Sequence, residues 1–284
     1  MLPPSVNFHI NQACNYRCEH CFATFLDVKE ELGKGMLAKA TQLAIVQALD
    51  EAGFDKITFA GGEPTLVPWL PELIEAFTGT TMLVTNGSML DEAYLDRLAG
   101  SLDWVVLSVD ASTASLSGEI GRRDSRGQSM SGEDYVELAS AIKAHKMRLK
   151  VNTVVSTRNH DHDMADMIAA MAPERWKILQ VLPVEGQNDE HIAALTIERA
   201  QFDAFIARHE EALSTTPVTL VPEPCDTLRG SYAMVDPAGR FFDSALGFHT
   251  YSRPILDVGL DVAFSQVSFD EERFDARGGR YDWK

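Results

Sequence analysis

Along the first two-thirds of the chain, short apolar runs alternate with stretches whose apolar residues recur at helical spacing. The first run is Val6-Asn7-Phe8-His9-Ile10. Residues 36–52 follow, with Leu37, Ala40, Leu43, Ala44 and Ala48 predicted on one helical face and Gly53 as the stop. Strands are predicted at 56–60, 82–85, 104–109, 149–155 and 176–182, with helices at 70–77, 91–99 and 132–145 between them. Met164, Met167, Ile168 and Met171 form the stripe of a further helix. The run Trp104-Val105-Val106-Leu107-Ser108-Val109 has the continuous apolarity of a parallel strand buried on both faces. Six strand–helix alternations predict an α/β fold with right-handed crossovers, an open partial (βα)6 barrel.

The pattern breaks near Pro183. Residues 1–183 are read as the core and 184–284 as a C-terminal extension within one structural domain. The extension carries an amphipathic helix over 198–213, a short apolar run at 218–221 and a hairpin at 232–242 turning on Asp236-Pro237-Ala238-Gly239. The polar stretch 112–131 reads as a long loop, which in a compact domain points to function.

A formal net charge of −17 excludes a general nucleic-acid-binding surface. It leaves room for a small anion held by a few cations in a cavity, because exposed charges more than about 10 Å apart are screened. Four cysteines, no signal-like N-terminus and no membrane-length apolar run predict a cytoplasmic protein with no membrane partner.

Three of the four cysteines lie in Cys14-Asn15-Tyr16-Arg17-Cys18-Glu19-His20-Cys21, a C-x3-C-x2-C spacing directly after the first strand. Thiolates suit iron–sulfur clusters and zinc. Three local ligands can hold three corners of a [4Fe–4S] cube and leave one iron open; a zinc site borrowing a fourth ligand, or free cysteines, are the plainer readings. His20 reads as a solvent-facing passenger. The next strand ends in Gly61-Gly62-Glu63-Pro64, where the glycines permit close backbone approach or positive φ and Glu63 offers an acceptor to an ammonium group. Loops of α/β folds converge at the carboxyl ends of the strands, so the cysteine loop, Gly61 to Glu63, Asn86, Ser108 and Asn152 are expected on one rim.

This combination resembles the radical S-adenosylmethionine superfamily, whose marks are the CxxxCxxC loop and a GGE-type motif on the following strand. The resemblance extends to the viperin family through Lys56, Ile120-Gly121-Arg122, Lys150-Val151-Asn152, Arg175-Trp176-Lys177, Ile255-Leu256-Asp257-Val258-Gly259 and Arg277-Gly278-Gly279-Arg280-Tyr281. It implies a [4Fe–4S] cluster on Cys14, Cys18 and Cys21, and S-adenosylmethionine among Gly61, Gly62, Glu63, Asn86, Ser108, Arg122 and Asn152. Lys56, Lys150, Arg175, Lys177 and Arg280 would grip a nucleoside triphosphate, with Asn7 and Arg253 also toward the substrate and Tyr232 as candidate donor. The implied reaction removes the 4′-hydrogen of CTP, UTP or GTP as an atom and loses the 3′-hydroxyl as water, one electron and one proton completing the 3′-deoxy-3′,4′-didehydro nucleotide. Such a product is a chain-terminating antiviral compound. A flavodoxin or ferredoxin would supply electrons to a monomeric enzyme.

Departures from the family pattern are Ala60 where Ser is common and a 244–252 segment without its basic run. The alternatives are a molybdopterin-type cyclase, which needs a second cysteine triplet where this chain has only Cys225, and a non-catalytic cluster sensor.

Overall fold

The computed structural model describes residues 2–32 and 35–283. Seven parallel strands follow one another in sequence and in space: β1 (Ser5–His9), β2 (Lys56–Ala60), β3 (Thr80–Thr85), β4 (Trp104–Ser108), β5 (Arg148–Val155), β6 (Arg175–Gln180) and β7 (Thr219–Glu223). Three more, β8 (Met234–Val235), β9 (Arg240–Asp243) and β10 (Thr250–Pro254), extend the other edge, giving the order β10-β9-β8-β1-β2-β3-β4-β5-β6-β7. The open, curled α/β sheet is the partial barrel that the alternation predicted.

The parallel part is larger than six strands. The apolar run at 218–221 becomes β7 on one edge, and β8 joins β1 in parallel before turning into antiparallel β9. Both edges of the barrel are therefore finished by the extension.

Two local expectations are corrected. The helix Lys39–Glu51 buries Gln42, Ile45, Val46 and Leu49, a face rotated from the Leu37, Ala40, Leu43, Ala44, Ala48 stripe. The branched and longer side chains take the core, and Gln42 can join them because its amide donates to the Ile10 carbonyl (2.7 Å) and accepts from Trp69 Nε1 (2.8 Å). Residues 112–131 are also not a plain loop. Thr113 caps a short helix, Ala114–Glu119, and Ser131 with Asp134 forms the capping box of Gly132–Ala144. The methionine stripe behaves as predicted: Met164, Met167, Ile168 and Met171 are all buried in the core.

Strand alternation divides the barrel into two sides. Val6, Phe8, Ile57, Phe59, Leu83, Val105, Leu107, Leu149, Val151, Trp176 and Ile178 face the helices and form the main core. The intervening residues line an internal cavity of about 300 Å³. These include Asn7 and His9 of β1, Lys56 and Thr58 of β2, Ser108 of β4, Lys150 and Asn152 of β5, and Arg175 and Lys177 of β6.

The candidate active site

The cysteine loop is gripped from both sides through its backbone. From one side Gly62 N–H donates to the Asn11 carbonyl and Glu63 N–H to that of Ala13, both at 2.8 Å. From the other, Arg17 N–H and Glu19 N–H donate to the carbonyls of Gly121 and Ile120, both at 3.2 Å. A Cβ at Gly62 would collide with the Ala13 carbonyl, and one at Gly121 with that of Arg17. Close backbone approach is thus the property that Gly62 supplies; Gly121 adds a positive φ of 88°.

Cys14, Cys18 and Cys21 all line the cavity. Burial pushes their thiols up, Cys14 to about 11 and Cys18 to about 12. Tyr16 N–H donates to Cys14 Sγ at 3.3 Å. Among the described residues no three His, Cys, Asp or Glu side chains converge as ligands of a single metal ion. Three thiols lining one wall in the C-x3-C-x2-C spacing are soft ligands of the kind that hold an iron–sulfur cluster, so the residues fit a [4Fe–4S] cluster. Cys225 is not on this wall; its thiol donates to the Val181 carbonyl at 3.0 Å.

Next to the cysteines the wall is polar. The Glu63 carboxylate accepts from Thr65 N–H and Oγ1 (3.1 and 2.6 Å), Thr85 Oγ1 (2.7 Å) and Asn86 N–H (2.9 Å). The oxygen expected to meet an ammonium group therefore first ties the ends of β2 and β3 together. Asn86 in turn donates through Nδ2 to Asn15 Oδ1 at 2.8 Å, fixing the cysteine loop to β3. Arg122 lines the cavity with its guanidinium on buried Asp110, whose other oxygen accepts Val154 N–H at 2.8 Å. His20 is not solvent-facing. The bond from Glu19 to Ile120 turns the loop inward, and His20 Nε2 lies buried 3.4 Å from Asp110, its pKa lowered by burial to about 4. Asn152 Oδ1 is buried in the wall with no hydrogen-bond partner, an acceptor that a polar ligand would satisfy. With Gly61, Gly62 and Ser108 lining the same cavity, this region fits S-adenosylmethionine beside the cluster.

Toward the amino ends of the strands the cavity becomes cationic. Lys56 and Lys150 are only 7% and 6% exposed and, among the described residues, neither forms an ion pair. Burial and repulsion from Lys177 hold both ammonium groups well below the ordinary lysine range. The C-terminal tail closes this end. Tyr281 lies beneath Arg175 (4.0 Å to the ring centre), Lys56 and Lys150, and Trp283 stacks against Lys56 at 4.5 Å and accepts Trp104 Nε1 on its carbonyl at 2.9 Å. Arg175 Nε and Tyr281 Oη are also buried without a partner.

Lys177 differs from these cations. Its Nζ is 2.6 Å from Glu223 Oε1 and donates to Tyr232 Oη at 2.8 Å, while the Tyr232 hydroxyl donates to Glu223 Oε2. Arg277 joins them: Nη1 lies 3.4 Å from Glu223, Nε and Nη2 donate to the Ser231 carbonyl, and the guanidinium stacks 3.5 Å from the Tyr232 ring.

Two expected substrate residues lie elsewhere. Arg280 is off the cavity wall, half exposed and paired with Glu271 and Asp275; Arg277, one helical turn earlier, faces inward instead. Arg253 is exposed on β10, away from the cavity. Glu223, Arg277, Tyr281 and Asp110 were not singled out by the sequence reading. Arg277 and Tyr281 lay in a segment already noted, where Arg-Gly-Gly-Arg gives no sign of which arginine turns in. Glu223 had no pattern to reveal it, standing in Val-Pro-Glu-Pro at the end of a short strand.

The wall as a whole can hold a thiolate-bound cluster at its mouth, a polar ligand beside it and a multiply charged anion at depth. The family model for the radical SAM superfamily matches residues 9–171. An S-adenosylmethionine-dependent nucleotide dehydratase of Lacinutrix mariniflava is 46% identical over 284 residues, covering 99% of this chain and 59% of that protein, so the chain spans less than two-thirds of that relative's length. Another of the same description, from Flammeovirga pacifica, is 43% identical over 285 residues and covers 99% of this chain and 96% of that one. The solved structure of native anSMEcpe with bound AdoMet shares the fold with a TM-score of 0.70 at 16% identity, covering 96% of this chain and 82% of that one. Cysteine loop, glycine-rich wall and relatives agree: the chain belongs to the radical S-adenosylmethionine superfamily and, within it, to the viperin-type S-adenosylmethionine-dependent nucleotide dehydratases.

Proposed function

We propose that the protein dehydrates a nucleoside triphosphate, CTP, UTP or GTP, to its 3′-deoxy-3′,4′-didehydro form, a chain-terminating antiviral nucleotide. The observation that carries this reading is the pair of buried, unpaired lysines, Lys56 and Lys150, with Arg175 in the same cavity as the three thiols. A buried ammonium without an anion is costly, and a triphosphate removes that cost through charge-assisted hydrogen bonds.

The bound cluster and S-adenosylmethionine would supply the radical that takes the 4′-hydrogen. The chain's own part is placement. Cys14, Cys18 and Cys21 would hold the cluster, and Asn152 Oδ1 and Arg122 would orient S-adenosylmethionine. Lys56, Lys150 and Arg175 would anchor the phosphates so that the sugar lies between them and the cysteine loop. Tyr232 lines the cavity and keeps its phenolic proton, since burial and the neighbouring Glu223 push its pKa well above the usual range; that proton lies on Glu223 Oε2 and would turn to the sugar for Tyr232 to act as donor. Tyr281 and Trp283 close the deep end against water. The reading extends to a cytoplasmic monomer fed by a flavodoxin or ferredoxin.

The test is anaerobic turnover of the reconstituted, reduced protein with S-adenosylmethionine and each of CTP, UTP, GTP and ATP. The expected result is 5′-deoxyadenosine release stimulated by at least one of the first three, with a product lighter by one water. No stimulation by any triphosphate overturns the reading.

A further inference from the structure

At its deep end the cavity is lined by five cationic side chains, Lys56, Lys150, Arg175, Lys177 and Arg277, with the buried carboxylate of Glu223 behind the last two, and that carboxylate is not shared evenly. Among the described residues, Lys56, Lys150 and Arg175 have no carboxylate partner, and they stand against the rings of Tyr281 and Trp283. Glu223, fully buried at the end of β7, takes Lys177 and Arg277 for itself and also accepts the Tyr232 hydroxyl. A carboxylate just behind the wall of an anion-binding cavity weakens the attraction for the ligand, and a buried one carries a desolvation cost as well. Its presence calls for a role that outweighs both.

The geometry points to Glu223 as a positioning residue that sorts the cations: it turns Lys177 and Arg277 away from the phosphates and onto Tyr232, leaving Lys56, Lys150 and Arg175 to the anion. Each contact of the Tyr232 hydroxyl and ring supports this. The hydroxyl is held between Lys177 Nζ and Glu223 Oε2, and the ring is covered by Arg277, itself bound to the Ser231 carbonyl next to the tyrosine. The phenol is thereby fixed in both position and hydrogen-bond direction. Without the carboxylate, Lys177 would be a fourth free cation and the phenol would have no acceptor. Glu223 acts only through these neighbours. The inference rests on the nucleotide reading above and adds to it a division of labour among its cations.

The decisive variant is Glu223→Gln, which keeps the shape of the side chain and removes its charge. Two quantities are read on the reconstituted protein: its affinity for inorganic tripolyphosphate by calorimetry, and its kcat and KM with the best nucleotide. The expected outcome is tripolyphosphate binding tightened by about threefold or more, as a competing anion is removed, with kcat lowered about tenfold or more. Tyr232→Phe is expected to lower kcat to the same extent without changing affinity, and the double variant to be no worse than either single one. Parallel loss of affinity and kcat in Glu223→Gln marks a purely structural residue and overturns the proposal, as does a kcat within twofold of wild type or additive losses in the double variant. If Glu223→Gln does not fold, Tyr232→Phe alone decides, an unchanged kcat counting against the proposal. If no nucleotide stimulates the wild-type protein, the nucleotide reading fails, and the tripolyphosphate arm still judges Glu223, equal or weaker binding overturning it.

Discussion

At the scale of single residues, the two terminal arginines separate what sequence can show from what it cannot. Both lie in Arg277-Gly278-Gly279-Arg280, and either could reach a phosphate. The structure turns Arg277 inward and leaves Arg280 in exposed pairs with Glu271 and Asp275. Arg277→Ala is therefore expected to lower kcat about tenfold or more with KM little changed, since it removes buried charge-assisted bonds from Glu223 and uncovers the Tyr232 ring. Arg280→Ala should leave both kcat and KM within about twofold, as exposed ion pairs contribute little. Steady-state kinetics of the two variants decides the assignment, and equal effects would reverse it. Motif spacing made Cys14, Cys18 and Cys21 legible as a group, whereas Lys56, Lys150 and Lys177 were named through the family resemblance alone, since a strand position does not say which face its side chain takes; all six line the cavity. Glu223 was not legible, because its meaning lies in contacts to Lys177, Tyr232 and Arg277, which come from three different segments and, for Lys177 and Arg277, from far along the chain.

At the scale of elements, the cysteine loop is a backbone structure held by two neighbouring loops. The Gly61-Gly62 pair could be read from sequence beside the cysteine motif, yet Gly121 needed the fold, since nothing in residues 112–131 shows that the turn after the helix Ala114–Glu119 packs on Arg17. Gly121→Ala places a Cβ against the Arg17 carbonyl at a positive φ. A cost of about 1–3 kcal/mol is expected. The measurable outcome is a lower thermal midpoint together with less than about half the wild-type iron content after reconstitution; full iron loading would show that the loop does not need this contact. The helix Lys39–Glu51 was legible in extent but not in orientation. Its apolar residues cover more than one stripe, and the buried partners of Gln42 that choose between them, Ile10 and Trp69, belong to other elements.

At the scale of the whole molecule, an acidic chain of net charge −17 encloses a cationic cavity, and that contrast predicts opposing responses to pH. Burial lowers Lys177 from 10.5 to about 8 even though Glu223 pulls it upward, while Glu223, itself pushed up by burial, is held at about 2 by Lys177 and Arg277. The asymmetry follows from one carboxylate among several cations: the anion gains from each, whereas Lys177 also feels Arg277 and Arg175. Between about pH 8 and 10.5 the unfolded chain binds the Lys177 proton more tightly than the folded one, so the nucleotide-free protein should gain stability as pH rises through this window. Nucleotide binding needs protonated Lys56 and Lys150, whose ammonium groups are held well below the ordinary lysine range, so KM should rise with pH before that range is reached, and a KM flat in pH would contradict the phosphate assignment. On the acid side, the contribution of Glu223 is complete above 4.5 and is lost as pH falls toward 2. The partial barrel was legible from alternation alone, whereas the finishing of its edges by β7 and β8 was not, because short strands in an irregular segment carry too little periodicity. The central claim is that the cysteine wall and the cationic depth serve one sugar placed between them. Turnover of a nucleoside triphosphate deuterated at C4′ tests it most directly. The account predicts deuterium in the released 5′-deoxyadenosine from the 4′-labelled substrate and none from a 3′-labelled one; unlabelled 5′-deoxyadenosine from the 4′-deuterated substrate would contradict it.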